Sequence, residues 1–290
     1  MATGEPDYYT TVVSITGKNS KQLHFLANLA PTVDAPEDIV SVVGELAHKP
    51  DIDGNAIYQV ESWLTSMDET PGGNLYAVSM DGELHYYLAK TKKWSVLDLQ
   101  CPDGLNAVWA AADHEVFIVG DKGERVRVTG QKFDVVRDAA GRVLSAVHGT
   151  SPDHVIAAGD EGLIFRFDGT RWLELDPPTN YTLFSVLCRS KDETYIGGSN
   201  GILLRSDGEG WTILPCEDDI TITGLAWYKD SLYAAAGEDG VYILKPEGLV
   251  KFKDEILHEL RTIGNLLFGV GNALVVQYNG KDWWGGDLEL

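Results

Sequence analysis

Short apolar runs broken by polar turns recur along this chain at an almost constant interval. The clearest stretch is 144–175, where the apolar residues 143–147 lead through Thr150-Ser-Pro-Asp153 to a second apolar run, 155–158. A Gly159-Asp-Glu-Gly162 turn leads to the alternating residues 163–167, and after Asp168-Gly169 a fourth run carries Trp172, Leu173 and Leu175. Runs this short, rich in β-branched and aromatic residues and bounded by Pro-Asp and Asp-Gly, are strand and hairpin signals. The pattern repeats on both sides. Its closing aromatics Trp94, Phe133, Trp172 and Trp211 stand 39 residues apart, and its glycines Gly82, Gly123, Gly162, Gly201 and Gly240 follow at 41, 39, 39 and 39.

Four antiparallel strands in a period near 40 predict an all-β chain folded as a β-propeller of four-stranded blades. Six copies are recognisable over 57–288. The fifth has Leu249 and Val250 where an aromatic stood, and the sixth is shortened, with Trp283 closing it. Residues 1–56 fit the repeat poorly but hold the parts of one irregular closing blade. The whole of 1–290 is therefore read as one domain of seven blades, with six blades and a closing blade shared by the two chain ends as the alternative.

Gly198-Ser-Asn-Gly201 followed by Ile202-Leu-Leu-Arg-Ser-Asp-Gly-Glu-Gly-Trp211, and Gly159-Asp-Glu-Gly162 with Asp168-Gly-Thr-Arg-Trp172, resemble the repeats of BNR/Asp-box and photosystem assembly-factor-like propellers. The resemblance covers roughly 57–288. It implies that Asp and Gly set the turn and that the aromatic packs between blades. Sialidases share such boxes but need an arginine cluster gripping a carboxylate, with a tyrosine nucleophile and an acid; Arg125, Arg127, Arg142, Arg166, Arg189 and Arg205 lie mostly along strands in unlike repeat positions. The Gly-His and Trp-Asp pairs of WD repeats are missing.

Charge narrows the partners. With 23 basic and 44 acidic residues the net charge is −21, a field that repels nucleic acid and anionic membrane and attracts basic proteins. The apolar runs are strand-sized, so no membrane span is expected. Residues 2–9 do not read as a signal peptide, and Cys101, Cys188 and Cys216 are an odd set without metal-ligand spacing. A cytoplasmic monomer is the expectation.

Candidate chemistry is sparse. No HExxH, P-loop, GxSxG or EF-hand loop is present, and Asp51-Ile-Asp-Gly-Asn55 lacks the closing glutamate, Ser62 standing in its place. Asp113-His114 and Asp153-His154 read as the same turn of neighbouring copies, and His148 as an inner-strand polar contact facing the channel. No catalytic residue, metal ligand or cofactor is assigned.

What survives alignment is the placement of acids. The turns between second and third strands and the links between blades fall on one end of a propeller. There the sequence puts Asp81, Glu83, Asp121, Asp160, Glu161, Glu238 and Asp239 in turns, and Asp98, Asp103, Asp138, Asp176, Glu217, Asp218, Asp219, Asp254 and Glu255 in links. Turns at the other end carry Lys90, Lys92, Lys93, Lys132, Arg171, Lys245 and Lys281. Turn chemistry favours single Asp residues but does not demand consecutive acids. The expected site is an acidic loop face formed by Asp121, Asp160, Glu161, Glu217, Asp218, Asp219, Glu238, Asp239, Asp254 and Glu255. Tyr181, Trp227 or Tyr228 would anchor a basic protein partner there. An inhibitor or immunity-type protein and a scaffold or assembly factor are two versions of this reading. The alternative is a glycan- or small-molecule-binding propeller or a metal-dependent enzyme, with carboxylates in the central channel holding a divalent cation.

Overall fold

The computed structural model describes residues 9–31, 39–48, 52–216 and 219–290. They form seven antiparallel sheets of four strands, each made of consecutive strands in chain order, and the seven blades are set in a ring as a β-propeller. In blade 4 the inner strand Leu144–Ser151 is followed outward by His154–Gly159, Ile164–Phe167 and Trp172–Leu175.

The apolar positions alternate along each strand because successive side chains face opposite sides of a sheet. Both faces of a blade are covered by its neighbours, so the core is divided. A separate apolar cluster fills each of the seven interfaces, for example Phe117, Val119, Leu144, Val155, Phe165 and Phe167 between blades 3 and 4. The closing aromatics lie in these interfaces: Trp94 of blade 2 stacks on Tyr58 of blade 1, with ring centres 4.2 Å apart, and Trp172 packs against Phe117 and Phe167. Blade 6 uses Phe252, which meets Tyr278 and Trp283 of blade 7.

The repeated turns are built by their acids and glycines. Asp168 Oδ1 accepts the Thr170 and Arg171 N–H groups at 2.9 and 3.0 Å and the Thr170 hydroxyl, and Asp207 accepts those of Glu209 and Gly210. At the other end, Glu161 and Gly162 both take the left-handed conformation. A Cβ on Gly162 would stand 2.1 Å from the Thr179 carbonyl oxygen of the next link, so only glycine lets turn and link touch there.

Blade 1 is formed wholly from the N-terminal part of the chain, Tyr9–Asn19, Gln22–Ala30, Val40–His48 and Ile52–Val60. Ile57 therefore belongs to its outer strand, and blade 2 begins at Leu64, seven residues beyond the boundary at 57. The strands of blade 1 run 9 to 11 residues against 4 to 8 in blade 4, which carries the blade past the repeat frame. Among the described residues, the N- and C-terminal strands do not share a sheet. The ring closes between blades 7 and 1 through Val12 N–H to Gly271 O (3.2 Å), Ala273 N–H to Thr10 O (3.1 Å) and Gly54 N–H to Glu289 O (3.0 Å), over a cluster holding Val12, Ile15, Phe25, Phe268 and Leu288.

Candidate partner-binding face

Contacts between turns and links define one end of the ring. Met80 N–H donates to Trp63 O, Asp121 N–H to Gly104 O, Ser199 N–H to Thr182 O and Gly237 N–H to Leu257 O. In each case a turn between second and third strands meets an interblade link, so the acids of both segments share this end. Asp160, Glu161, Asp219, Glu238 and Asp239 make no ion pair with a described residue. Asp121 accepts from Asn106 Nδ2 at 3.0 Å. Glu217 and Asp218 lie outside the described residues.

The same end also holds cations. Lys251 pairs with Asp254 at 2.8 Å and Lys253 with Glu255 at 3.2 Å, so the consecutive acids Asp254-Glu255 are partly offset by lysines of the strand before them. Arg142 holds Asp138 and Glu174, both at 3.0 Å, and this guanidinium lowers the Asp138 carboxyl below its usual range. Arg137 pairs with the buried Glu124 at 2.9 Å. Lys251 and Lys253 lie on the outer strand Gly248–Lys253, Arg137 follows Lys132–Val136 directly and Arg142 stands in the link itself, so the acids of these links carry cations that a count of acidic turn residues leaves out.

Tyr181 is exposed on this end. Trp227 and Tyr228 are not there. They finish the inner strand Gly224–Tyr228, which starts at the acidic end and runs to the opposite one. Tyr228 is buried, donating to Asn265 O at 3.0 Å, and Trp227 lies under the Arg189 guanidinium at 3.5 Å. Other apolar groups stand exposed on the acidic end: Tyr9, Trp63 and Ile256. Tyr9 and Trp63, with Val13, Ile39 and His258, line an apolar cleft of about 410 Å³ beside the channel mouth. His258 Nε2–H donates to Val12 O at 2.7 Å, and burial lowers its pKa.

Inside the channel, Arg261 of blade 7 reaches past blade 1 to pair with Asp68 of blade 2, whose Oδ2 also accepts the Ala110 N–H at 2.8 Å. Burial pushes the neighbouring Glu259 carboxyl up to about 7 against the pull of Arg261. His148 accepts the Cys188 N–H at 3.1 Å, and burial brings it down to about 4. It is a satisfied, neutral histidine. The pairing of Arg261 with Asp68 joins residues far apart in sequence, and no local pattern announces it. Among the described residues no group of three or more His, Cys, Asp or Glu side chains is placed to hold a metal ion, and no helix is long and apolar enough to cross a membrane.

No family model matches the chain, and no curated protein does. Solved structures do resemble it in fold. Virginiamycin B lyase from Staphylococcus aureus superposes with a TM-score of 0.70 at 11% identity, over 87% of this chain and 89% of that one. Chaetomium thermophilum Sqt1 bound to the N-terminus of the ribosomal protein L10 gives 0.69 at 14% identity, over 96% and 89%. RRP9 WD40 repeats give 0.70 at 10% identity, over 95% and 90%. At such identities the likeness is one of architecture: this chain is a seven-bladed β-propeller similar to both enzymes and protein-binding proteins.

Proposed function

We propose that this propeller is a non-enzymatic, cytoplasmic protein-binding module whose acidic loop end captures a basic protein segment, as an inhibitor or as a scaffold. The observation that carries the reading is the set of carboxylates on one end that make no ion pair with a described residue, Asp160, Glu161, Asp219, Glu238 and Asp239, in a chain of net charge −21. Unpaired like charges on one surface repel one another, and a cationic partner relieves that cost while speeding encounter. Exposed Tyr181, Trp63 and Tyr9 on the same end supply rigid apolar anchors amid the charge. Sqt1, which shares the architecture, binds the N-terminus of a ribosomal protein, so the fold accommodates a protein segment. The buried thiols Cys101 and Cys188, both pushed up to about 12 chiefly by burial, suit a reducing compartment.

Reversing Asp160, Glu161, Glu238 and Asp239 to lysine tests this. The wild-type protein should retain basic proteins from its own cell extract at low salt and release them as ionic strength rises, and the reversed variant should lose them. Equal retention by the variant, at unchanged thermal stability, would remove the acidic end from the function.

A further inference from the structure

The constant period over blades 3 to 5 allows position-by-position comparison, and blade 4 departs from its neighbours at one place. Strand register pairs Phe117 with Arg127 in blade 3, Ile156 with Arg166 in blade 4 and Tyr195 with Arg205 in blade 5, so the same arginine recurs three times, which corrects the expectation that these arginines stand in unlike repeat positions. In blade 3 it is held by Glu115 at 2.6 Å, and in blade 5 it stands 3.9 Å from Glu193. Those glutamates open the second strands of their blades. The residue that opens the second strand of blade 4 is His154. Burial, reinforced by Lys191 and Arg166, lowers its pKa, so the ring is neutral at pH 7. The Arg166 guanidinium forms no hydrogen bond or ion pair with any described residue.

A second departure empties the space in front of this arginine. Between blades 3 and 4, Phe167 packs on Phe117 and on Trp172, with ring centres 5.3 Å away in both cases, and lies 5.4 Å from the Arg127 guanidinium. Register places Phe167 opposite Val155, and its counterpart Ser206 opposite Thr194. Between blades 4 and 5 a serine therefore stands where the preceding interface has a phenyl ring. The result is a cleft of about 440 Å³ with Arg166 and His154 on one wall and Thr194, Ser206 and Trp211 on the other. His154 is only 7% exposed, and its Nε2 has no hydrogen-bond partner among the described residues.

We propose that this cleft binds a small aryl carboxylate. Its carboxylate stands against Arg166, as glutamate does in the flanking blades, and its ring lies beside Trp211, as Phe167 lies beside Trp172. The ligand thus supplies the anion and the aromatic ring that blades 4 and 5 lack, and a charged hydrogen bond to an otherwise unpaired guanidinium is among the stronger polar contacts. Lys191 at the mouth adds positive charge, although Asp153 pairs with it at 3.1 Å. The exposed Asp176 and Glu209 also line the cleft and disfavour ligands of higher negative charge. The site opens between the outer parts of blades 4 and 5, and of its lining residues only Asp176 belongs to an interblade link of the acidic end.

Calorimetry with 3-phenylpropanoate, with 3-phenylpropan-1-ol and with inorganic phosphate tests the assignment on the full chain. The acid should bind saturably at millimolar concentration or below, and the alcohol and phosphate should bind at least about tenfold more weakly. Arg166→Gln removes the cation, and His154→Glu restores the internal carboxylate of blades 3 and 5. Each should weaken the acid by about tenfold or more at wild-type circular dichroism. Ser206→Phe should close the cleft and abolish binding. No saturable signal, equal binding of the alcohol or of phosphate, or affinity unchanged in both Arg166→Gln and His154→Glu would overturn it.

Discussion

Buried charge decides the behaviour of single residues here. Glu259 has a folded pKa raised to about 7 from 4.5, with burial the main cause. The native state therefore keeps a proton that the unfolded chain releases, so the stabilisation is complete below pH 4.5 and disappears as pH rises through 7. Glu259→Gln should leave stability near wild type at pH 5 and raise it at pH 8, by at most about 3 kcal/mol on the conversion of 1.36 kcal/mol per pKa unit. Urea unfolding at the two pH values measures this; a variant less stable at pH 8 would mean that attraction to Arg261 outweighs burial. His148 has the opposite sign. Its pKa falls to about 4, and the stability of its neutral form, full above 6.5, is lost as pH drops toward 4. Sequence placed His148 in the channel from strand position alone, but the Glu259, Arg261 and Asp68 group was not legible, because blades 2 and 7 meet only once the ring is closed.

Turns and strands are set by contacts between residues close in the chain, and in a strand one residue of offset changes what a side chain meets. Asp168 and Asp207 are explained by the N–H groups they accept; these contacts are local, and local contacts are written in sequence. Gly162→Ala should cost more than Gly130→Ala. Both glycines have positive φ, 74° and 64°, but a new Cβ meets a carbonyl oxygen at 2.1 Å in the first case and nothing within 4 Å in the second. The left-handed penalty alone is about 1 to 2 kcal/mol, so thermal unfolding should show roughly that loss for Gly130→Ala and a clearly larger one for Gly162→Ala. His114 and His154 look equivalent as Asp-His pairs, but strand pairing sets His154 level with Glu115, because Ser151 pairs with His154 as Ala112 pairs with Glu115. One residue of offset turns a side chain to the other face of a strand. His114 is exposed and His154 is buried.

Across the whole molecule, stability rests on seven interfaces, and the one between blades 7 and 1 must join distant parts of the chain. Leu288 packs in that cluster, and the next residue, Glu289, exchanges backbone hydrogen bonds with Ile52 and Gly54. Leu288→Ala should destabilise by about 2 to 4 kcal/mol, the range for emptying a buried leucine site. Hydrogen exchange should quicken at the Gly54 and Val12 amides and stay unchanged in blade 4, since the neighbouring interfaces are intact. Equal acceleration in blade 4 would show that the ring opens as one unit. The acidic end belongs to this scale as well. Turn composition located Asp160, Glu161, Glu238 and Asp239, but whether an acid is paired depends on lysines and arginines that folding brings beside it. Asp254 and Glu255 are offset in this way.

The sequence by itself determined the blade, its turns and its repetition, because the strand period of two, the Asp and Gly turn chemistry and the period of 39 all act between residues close in the chain. Tertiary structure alone decided that the first blade is built wholly from N-terminal residues and extends to Val60. It also decided which carboxylates make no ion pair with a described residue, which aromatics reach the surface, and that Arg166 faces an open cleft. These depend on juxtapositions across blade interfaces, where the partners are separated by whole repeats and the outcome turns on side-chain volume and charge at both walls.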